Sequence, residues 1–304
     1  MAFDISNSYM EEFDFMFHEM LKQRGTQLLP FVRQMPVQGD TKHLRQFNVG
    51  GAYFVDDTGG STQYTQIYGD ERTLRPRAFE CPIELNKFDL VRQGTLNVQQ
   101  IAQEAADACG VLIDDIILSG IYGPAKTKSS GSVSLPDSQI IGFAANDFSI
   151  AADVPDKVKN GLNVSKVADS VQRLRTKFNR GSLICVASNY ALTTLRADPK
   201  AANSLWNASG PSLSLGQNAP YGGVDAFVPS ERVEKNVTFS SGNTGEYAYV
   251  YARDQIFYGE SMPLTMDEGK NAERGLNPVL IYSGMADCVR MQEEAVIKIQ
   301  VKTN

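Results

Sequence analysis

Histidine is nearly absent from this chain: its 304 residues include two, His18 and His43. His18 precedes Glu19, but no second histidine follows one helical turn later, so the paired-imidazole helix of a zinc protease is excluded. The four cysteines, Cys81, Cys109, Cys185 and Cys288, never approach metal-ligand spacing, which argues against structural zinc. No serine stands in a Gly-x-Ser-x-Gly elbow, and no Gly-x-Gly-x-x-Gly opens a helix. The stretch "GPAKTKSS" lacks the spacing of a phosphate-binding loop. Carboxylate pairs do occur at Asp56–Asp57, Asp114–Asp115 and Glu293–Glu294, but adjacent residues point apart on a helix or strand and make poor acid–base couples. The sequence therefore reads as a protein without a catalytic, cofactor or metal site. One cluster, Asp225 with Arg253 and Asp254, is where an overlooked enzyme site of an α+β protein would be sought.

Positive charge is also short. Lys and Arg number 29 against 35 Asp and Glu, a net charge of −6, whereas a surface built to neutralise phosphate needs a basic excess. The densest basic run, Arg173, Arg175, Lys177 and Arg180, has two readings: a phosphate patch, or more commonly the solvated C-terminal cations of a helix. No run approaches the ~18 apolar residues of a membrane span. The opening "MAFDISNSYMEEFDFMF" has no cationic start before an apolar run, so no signal peptide is expected. The scattered cysteines lie in apolar segments, as buried free thiols of a reducing compartment do.

What is present is patterned structure. Tyr9, Phe13, Met16, Phe17, Met20 and Leu21 recur at helical spacing in the first 33 residues, either packing on their own core or forming an arm on a neighbour. Residues 41–85 hold two β-rich segments around "DDTGGST", which predicts a long protruding hairpin with a mobile tip at Gly59 and Gly60. Arg72, Arg75 and Arg77 lie on its returning strand beside Asp70 and Glu71, where charges can set partner orientation. The cleanest helix follows at 97–120, ~36 Å long, with Ile101, Ala105, Cys109, Leu112 and Ile116 on one face and Gln103, Asp107, Asp114 and Asp115 on the other. Residues 122–160 read as loop. A helix at 163–179 capped by Asn163, the strand "SLICVA" and a helix capped by Ser188 come next. Strands then run from "VDAFVPS" to the end, with "QIFYGES" and "MPLTMDEG" as separate strands. Helices and strands in this order make an α+β protein.

The succession of arm, hairpin, long helix, compact α/β block and closing strands resembles the major capsid protein of tailed bacteriophages, a fold shared with encapsulins. The best local matches are "ERTLRPRAFECPIELNKFDL", "IAQEAADACGVLIDDIILSGIYG", "LNVSKVADSVQRLRTKF" with "SLICVASNYALTTLR", and "SGMADCVRMQEEAVIKIQV". The resemblance implies an N-terminal arm at 1–40, an extended loop at 41–85 over an adjacent subunit, and a peripheral domain at 86–160 built on the spine helix 97–120. It further implies an axial domain at 161–249 and strands at 250–304 returning to the peripheral domain. A structural shell protein of the virion follows, assembled in the host cytoplasm from pentamers and hexamers. Its implied partners are separate scaffolding, portal and decoration proteins, and weakly held double-stranded DNA, with no membrane. Phe13, Phe17, Gly59, Gly60, Arg72, Arg75 and Arg77 are then candidate subunit-interface residues. Some members of the family cross-link through a hairpin lysine; residues 43–86 contain none, so no such cross-link is expected. An encapsulin-like compartment, with a cargo pocket formed partly by the arm helix, is the alternative on the same fold.

Overall fold

The computed structural model describes residues 26–48, 68–84, 98–128, 131–143, 160–178, 181–198, 222–239, 242–271 and 277–302, with Phe15 and Ala201 singly. The described residues form three sheets and three principal helices, a mixed α+β arrangement.

The core is a three-layer block around a mixed sheet. Its strands run in the order β7 (Ile140–Ile141), β14 (Val296–Lys302), β11 (Thr244–Ala252), β8 (Leu183–Ala187) and β9 (Ala226–Pro229), and β10 (Val237–Thr238) adds to β11. The outer pairs β7–β14 and β8–β9 are parallel, and β14–β11–β8 is antiparallel. Every residue of β8 is buried, because successive side chains enter opposite layers. Leu183, Cys185 and Ala187 face α2 (Val164–Lys177) and α3 (Asn189–Arg196), together with Leu174, Leu192, Val250 and Ile297. Ile184 and Val186 face the long helix α1 (Val98–Tyr122), with Ile117, Ile121, Tyr249 and Tyr251. Fully burying each such aliphatic side chain contributes about 1.5–3 kcal/mol.

The two shorter helices begin where their side chains dictate. Asn163 accepts the Lys166 amide at 2.9 Å, and Ser188 accepts the Ala191 amide at 3.0 Å, each satisfying an otherwise unpaired N–H of the first turn. Lys166 is fully buried, its ammonium donating to the carbonyls of Gly161 at 2.9 Å and Gln300 at 3.1 Å. That ties the entry of α2 to the closing strand. The closing strand β14 thus belongs to the sheet of residues 183–252, not with the other strands of 250–304.

A second sheet is a long ribbon. "QIFYGES" and "MPLTMDEG" are one strand, β12 (Ile256–Asn271), paired antiparallel with β13 (Asn277–Arg290). The register shifts twice, between Glu260 and Met262 and between Met262 and Thr265. Pro263, which has no N–H to donate, falls inside that bulged stretch. Strand β1 (Arg33–Pro36) borders β12 in parallel, and β4 (Arg77–Glu84) borders β13.

Helix α1 lies between the two sheets. Gly120 is pressed on the ribbon so closely that a Cβ there would sit 2.6 Å from the Cβ and Sγ of Cys288. The apolar face of α1 is broad because it serves the ribbon and the central sheet at once.

The third sheet has the order β2 (Lys42–Asn48), β3 (Tyr68–Leu74), β5 (Ala125–Thr127) and β6 (Gly131–Val133). Strands β2 and β3 are the antiparallel legs expected of the hairpin. The returning segment breaks at Arg75–Pro76, and its continuation β4 leaves the hairpin for the ribbon. The loop expected at 122–160 supplies β5, β6 and β7.

Candidate assembly surface

The hairpin is held at its root. Arg72, on β3, is buried and places its guanidinium on both carboxylate oxygens of Glu293, at 2.7 and 2.8 Å. Its Nε donates to the Met291 carbonyl at 3.1 Å. One guanidinium nitrogen, Nη2, serves the Glu293 carboxylate and another, Nε, the Met291 carbonyl, so β3 is oriented against the turn between β13 and β14. The sequence reading placed Arg72 at a subunit boundary; its side chain is committed inside its own chain, beside Leu44, Leu74 and Val289 of a small satellite core.

Arg75 and Arg77 are exposed. The Arg75 amide donates to Asp287 at 2.8 Å, which holds the main chain there while the residue stays exposed. Glu71, beside Arg72, has His43 at 3.3 Å and Arg45 and Lys128 at 3.8 Å. His43 is exposed there. Phe13, Phe17, Gly59 and Gly60 lie outside the described residues; Phe15, in the same arm, is helical and 69% exposed.

On α1 two sequence-based assignments change. Asp114 was expected on the solvent side, but it is buried and accepts the amides of Gln27 and Leu28, both at 3.1 Å. Burial pushes its carboxyl above the ordinary range, and the two amide bonds oppose that rise. The chain's entry into the fold is therefore pinned to the spine. Leu112 was expected in the core; it is 36% exposed, and neighbouring Val111 is 42% exposed. An apolar break thus lies in the otherwise acidic outer stripe of α1. Beside it, a cavity of about 540 Å³ opens between α1, β4 and β13, lined by Leu112, Ile116 and Phe79 and flanked by Arg77 and Lys126.

The other candidates are accounted for locally. Arg173 pairs with Asp169 at 2.9 Å, Arg175 donates to the Gly181 carbonyl at 3.0 Å and Lys177 pairs with Glu294, which supports the solvated-helix reading of that basic run. Asp225 accepts the Leu183 amide at 2.8 Å, and Arg253 and Asp254 sit exposed in a turn. These are strand-end contacts. Cys109, Cys185 and Cys288 are buried free thiols and Cys81 is half-buried. Among the described residues no group of three or more His, Cys, Asp or Glu is placed to hold a metal, and no helix is long and apolar enough to cross a membrane.

The comparisons with known proteins agree on the fold. The capsid of cyanophage Pam1 superposes with a TM-score of 0.67 at 12% identity, covering 92% of each chain. The capsid of Ralstonia phage GP4 gives 0.65 at 12% identity over 90% of this chain and 87% of that one. A virus-like particle from Pyrococcus furiosus gives 0.59 at 10% identity over 95% and 98%. No curated protein matches the sequence. The family model described as phage capsid protein matches residues 5–303, and the chain belongs to that family.

Proposed function

We propose that this chain is the major capsid protein of a tailed phage, its copies closing into an icosahedral head through pentamers and hexamers around double-stranded DNA. The observation that carries the reading is the phage capsid family match over residues 5–303. The surface fits it: exposed Glu260, Pro263 and Asp267 on the ribbon, exposed Arg75 and Arg77, and an apolar break on α1 are features that contacts with further copies would cover. Closure follows when one contact is repeated with rotations that return on themselves.

In this reading the arm at 1–40, with Phe13 and Phe17, and the hairpin at 41–85, with Gly59 and Gly60 at its tip, reach adjacent subunits. Arg75 and Arg77 contact a neighbour, and Arg72 anchors the hairpin that presents them. The peripheral domain comprises 86–160 with strands from 250–304, and the axial domain 161–249 gathers at the five- and six-fold axes. Scaffolding, portal and decoration proteins are separate chains, assembly takes place in the host cytoplasm, and the net charge of −6 suits weak, non-specific contact with DNA.

Electron microscopy of the expressed protein after size-exclusion chromatography tests this. Closed particles with five- and six-fold clusters are expected when the phage's scaffold is supplied. A chain that stays monomeric under those conditions would overturn the reading. Packaged DNA, read by absorbance, distinguishes a phage head from an encapsulin-like compartment, the second reading that the fold of the Pyrococcus furiosus particle keeps in view.

A further inference from the structure

Strand β4 alternates strictly, with Phe79, Cys81 and Ile83 half-buried and Glu80, Pro82 and Glu84 exposed. The half-buried side is turned to α1: Phe79 shares the cavity wall with Leu112 and Ile116. Two residues along a strand advance ~6.6 Å, and three or four along a helix advance ~5 Å. Moving from Phe79 to Cys81 therefore keeps pace with moving from Leu112 back to Cys109. Cys81 is accordingly Cys109's neighbour across the contact between β4 and α1, close enough to act on its charge. Cys109 is 1% exposed, whereas Cys81 keeps a solvent-facing side.

We propose that Cys81 and Cys109 are a redox-closed staple between β4 and the spine helix, open as two thiols in the host cytoplasm and closed as a disulfide once the particle meets an oxidising medium. The chemistry assigns the order of events. Burial, and then the adjacent Cys81, push the Cys109 thiol up to about 12, so Cys109 is a poor first nucleophile. Cys81 attacks one sulfur of a small-molecule disulfide and releases the other half as a thiol. Cys109 then gives up its proton, attacks the Cys81 sulfur of the mixed disulfide and releases the second half. Two protein thiols are oxidised and one external disulfide is reduced to two thiols.

The purpose rests on the shell reading, because only a particle released from the cell changes redox compartment. The pairing itself does not. The staple would join the strand leading out of the hairpin to the helix shared by both sheets, fixing the hairpin root after assembly.

The test uses the purified full chain, unassembled and as particles, incubated with oxidised glutathione, denatured in alkylating reagent and mapped by mass spectrometry. We expect two of the four thiols to resist alkylation, a mass loss of about 2 Da, and one cross-linked peptide joining residues 81 and 109. Cys81→Ser should abolish the link and Cys185→Ser should leave it unchanged. Cys109→Ser should accumulate a glutathione adduct on Cys81. Four alkylated thiols, a stable glutathione adduct on Cys81 of the unsubstituted chain, or a link through Cys185 or Cys288 would overturn the proposal. A link formed by a chain that never assembles would leave the staple standing and remove its proposed purpose. A particle that forms but stays unlinked in oxidised glutathione would overturn the staple and leave the shell reading standing.

Discussion

The central sheet and the ribbon are built from similar residues and end in opposite states. In the central sheet β8 is buried along its whole length and β11 nearly so, with helices on both faces. In the ribbon, α1 covers the inner part, while Met262, Leu264 and Met266 remain only half-buried and Pro263 and Asp267 are exposed. The first region meets its own packing needs within one chain. The second leaves area uncovered by the described residues, as a subunit of a closed assembly does.

That contrast can be broken by substitution. Ile297→Ala empties a fully buried position in the central sheet, and about 4 kcal/mol of subunit stability should be lost in urea unfolding. A loss below about 1 kcal/mol would mean the block is less closed than its packing indicates.

Arg72→Met should cost about 3 kcal/mol, because it leaves Glu293 and the Met291 carbonyl without their partner. Adding Glu293→Met should recover much of that loss in a double-mutant cycle. No recovery would show that the pair is not what anchors the hairpin.

Glu246 offers a pH test within the closed region. It is buried on β11, and burial raises its carboxyl above the ordinary 4.5, with the hydrogen bond from Ser188 opposing. A carboxyl raised in the folded chain favours the protonated form. Its contribution is therefore fully present below 4.5 and is lost as pH climbs through the raised value. Glu246→Gln keeps an acceptor for Ser188, so it should stabilise the subunit by about 1 kcal/mol at neutral pH. It should also remove the loss of stability as pH climbs from 4.5 through the raised value, and an unchanged slope there would discount the buried charge.

The smallest effect on the subunit sharpens the comparison most. Met266→Ala, on the outer ribbon, should cost less than about 1 kcal/mol in the isolated chain. Particle yield, measured by sedimentation, should nevertheless fall. An equal loss in both measurements would mean that the ribbon packs within its own subunit.

Much of the closed region was legible in the sequence. Asn163 and Ser188 announce their helices, and "SLICVA" reads as a buried strand, because caps and apolar runs are local signals. The open region was less legible. Pro263 and the shifted register interrupt the alternation of β12, so one strand looks like two. Asp114 and Arg72 look like surface charges because their partners, Gln27 and Leu28 in one case and Glu293 in the other, are far away along the chain. Leu112 fits the helical apolar pattern, but nothing in a periodicity states which flank of a helix a sheet will leave uncovered. Among the interface candidates, Arg75 and Arg77 are exposed, and Arg72 is buried against Glu293 of its own chain, a partner that no local pattern around it indicates.

The double register shift in β12 has a mechanical consequence. Inboard of Glu260 the ribbon is gripped by Gly120 of α1 at Cys288 and by β1 along Phe257–Glu260. Outboard of Thr265 it continues to Asn271 paired with β13, which carries β4 on its other edge from Ala286 out to Val279. A bulge concentrates bending and twist at one place in a strand. The ribbon thus has a joint on one edge only: β12 can bend near Pro263, while the unshifted β13–β4 ladder runs past it and stiffens the opposite edge.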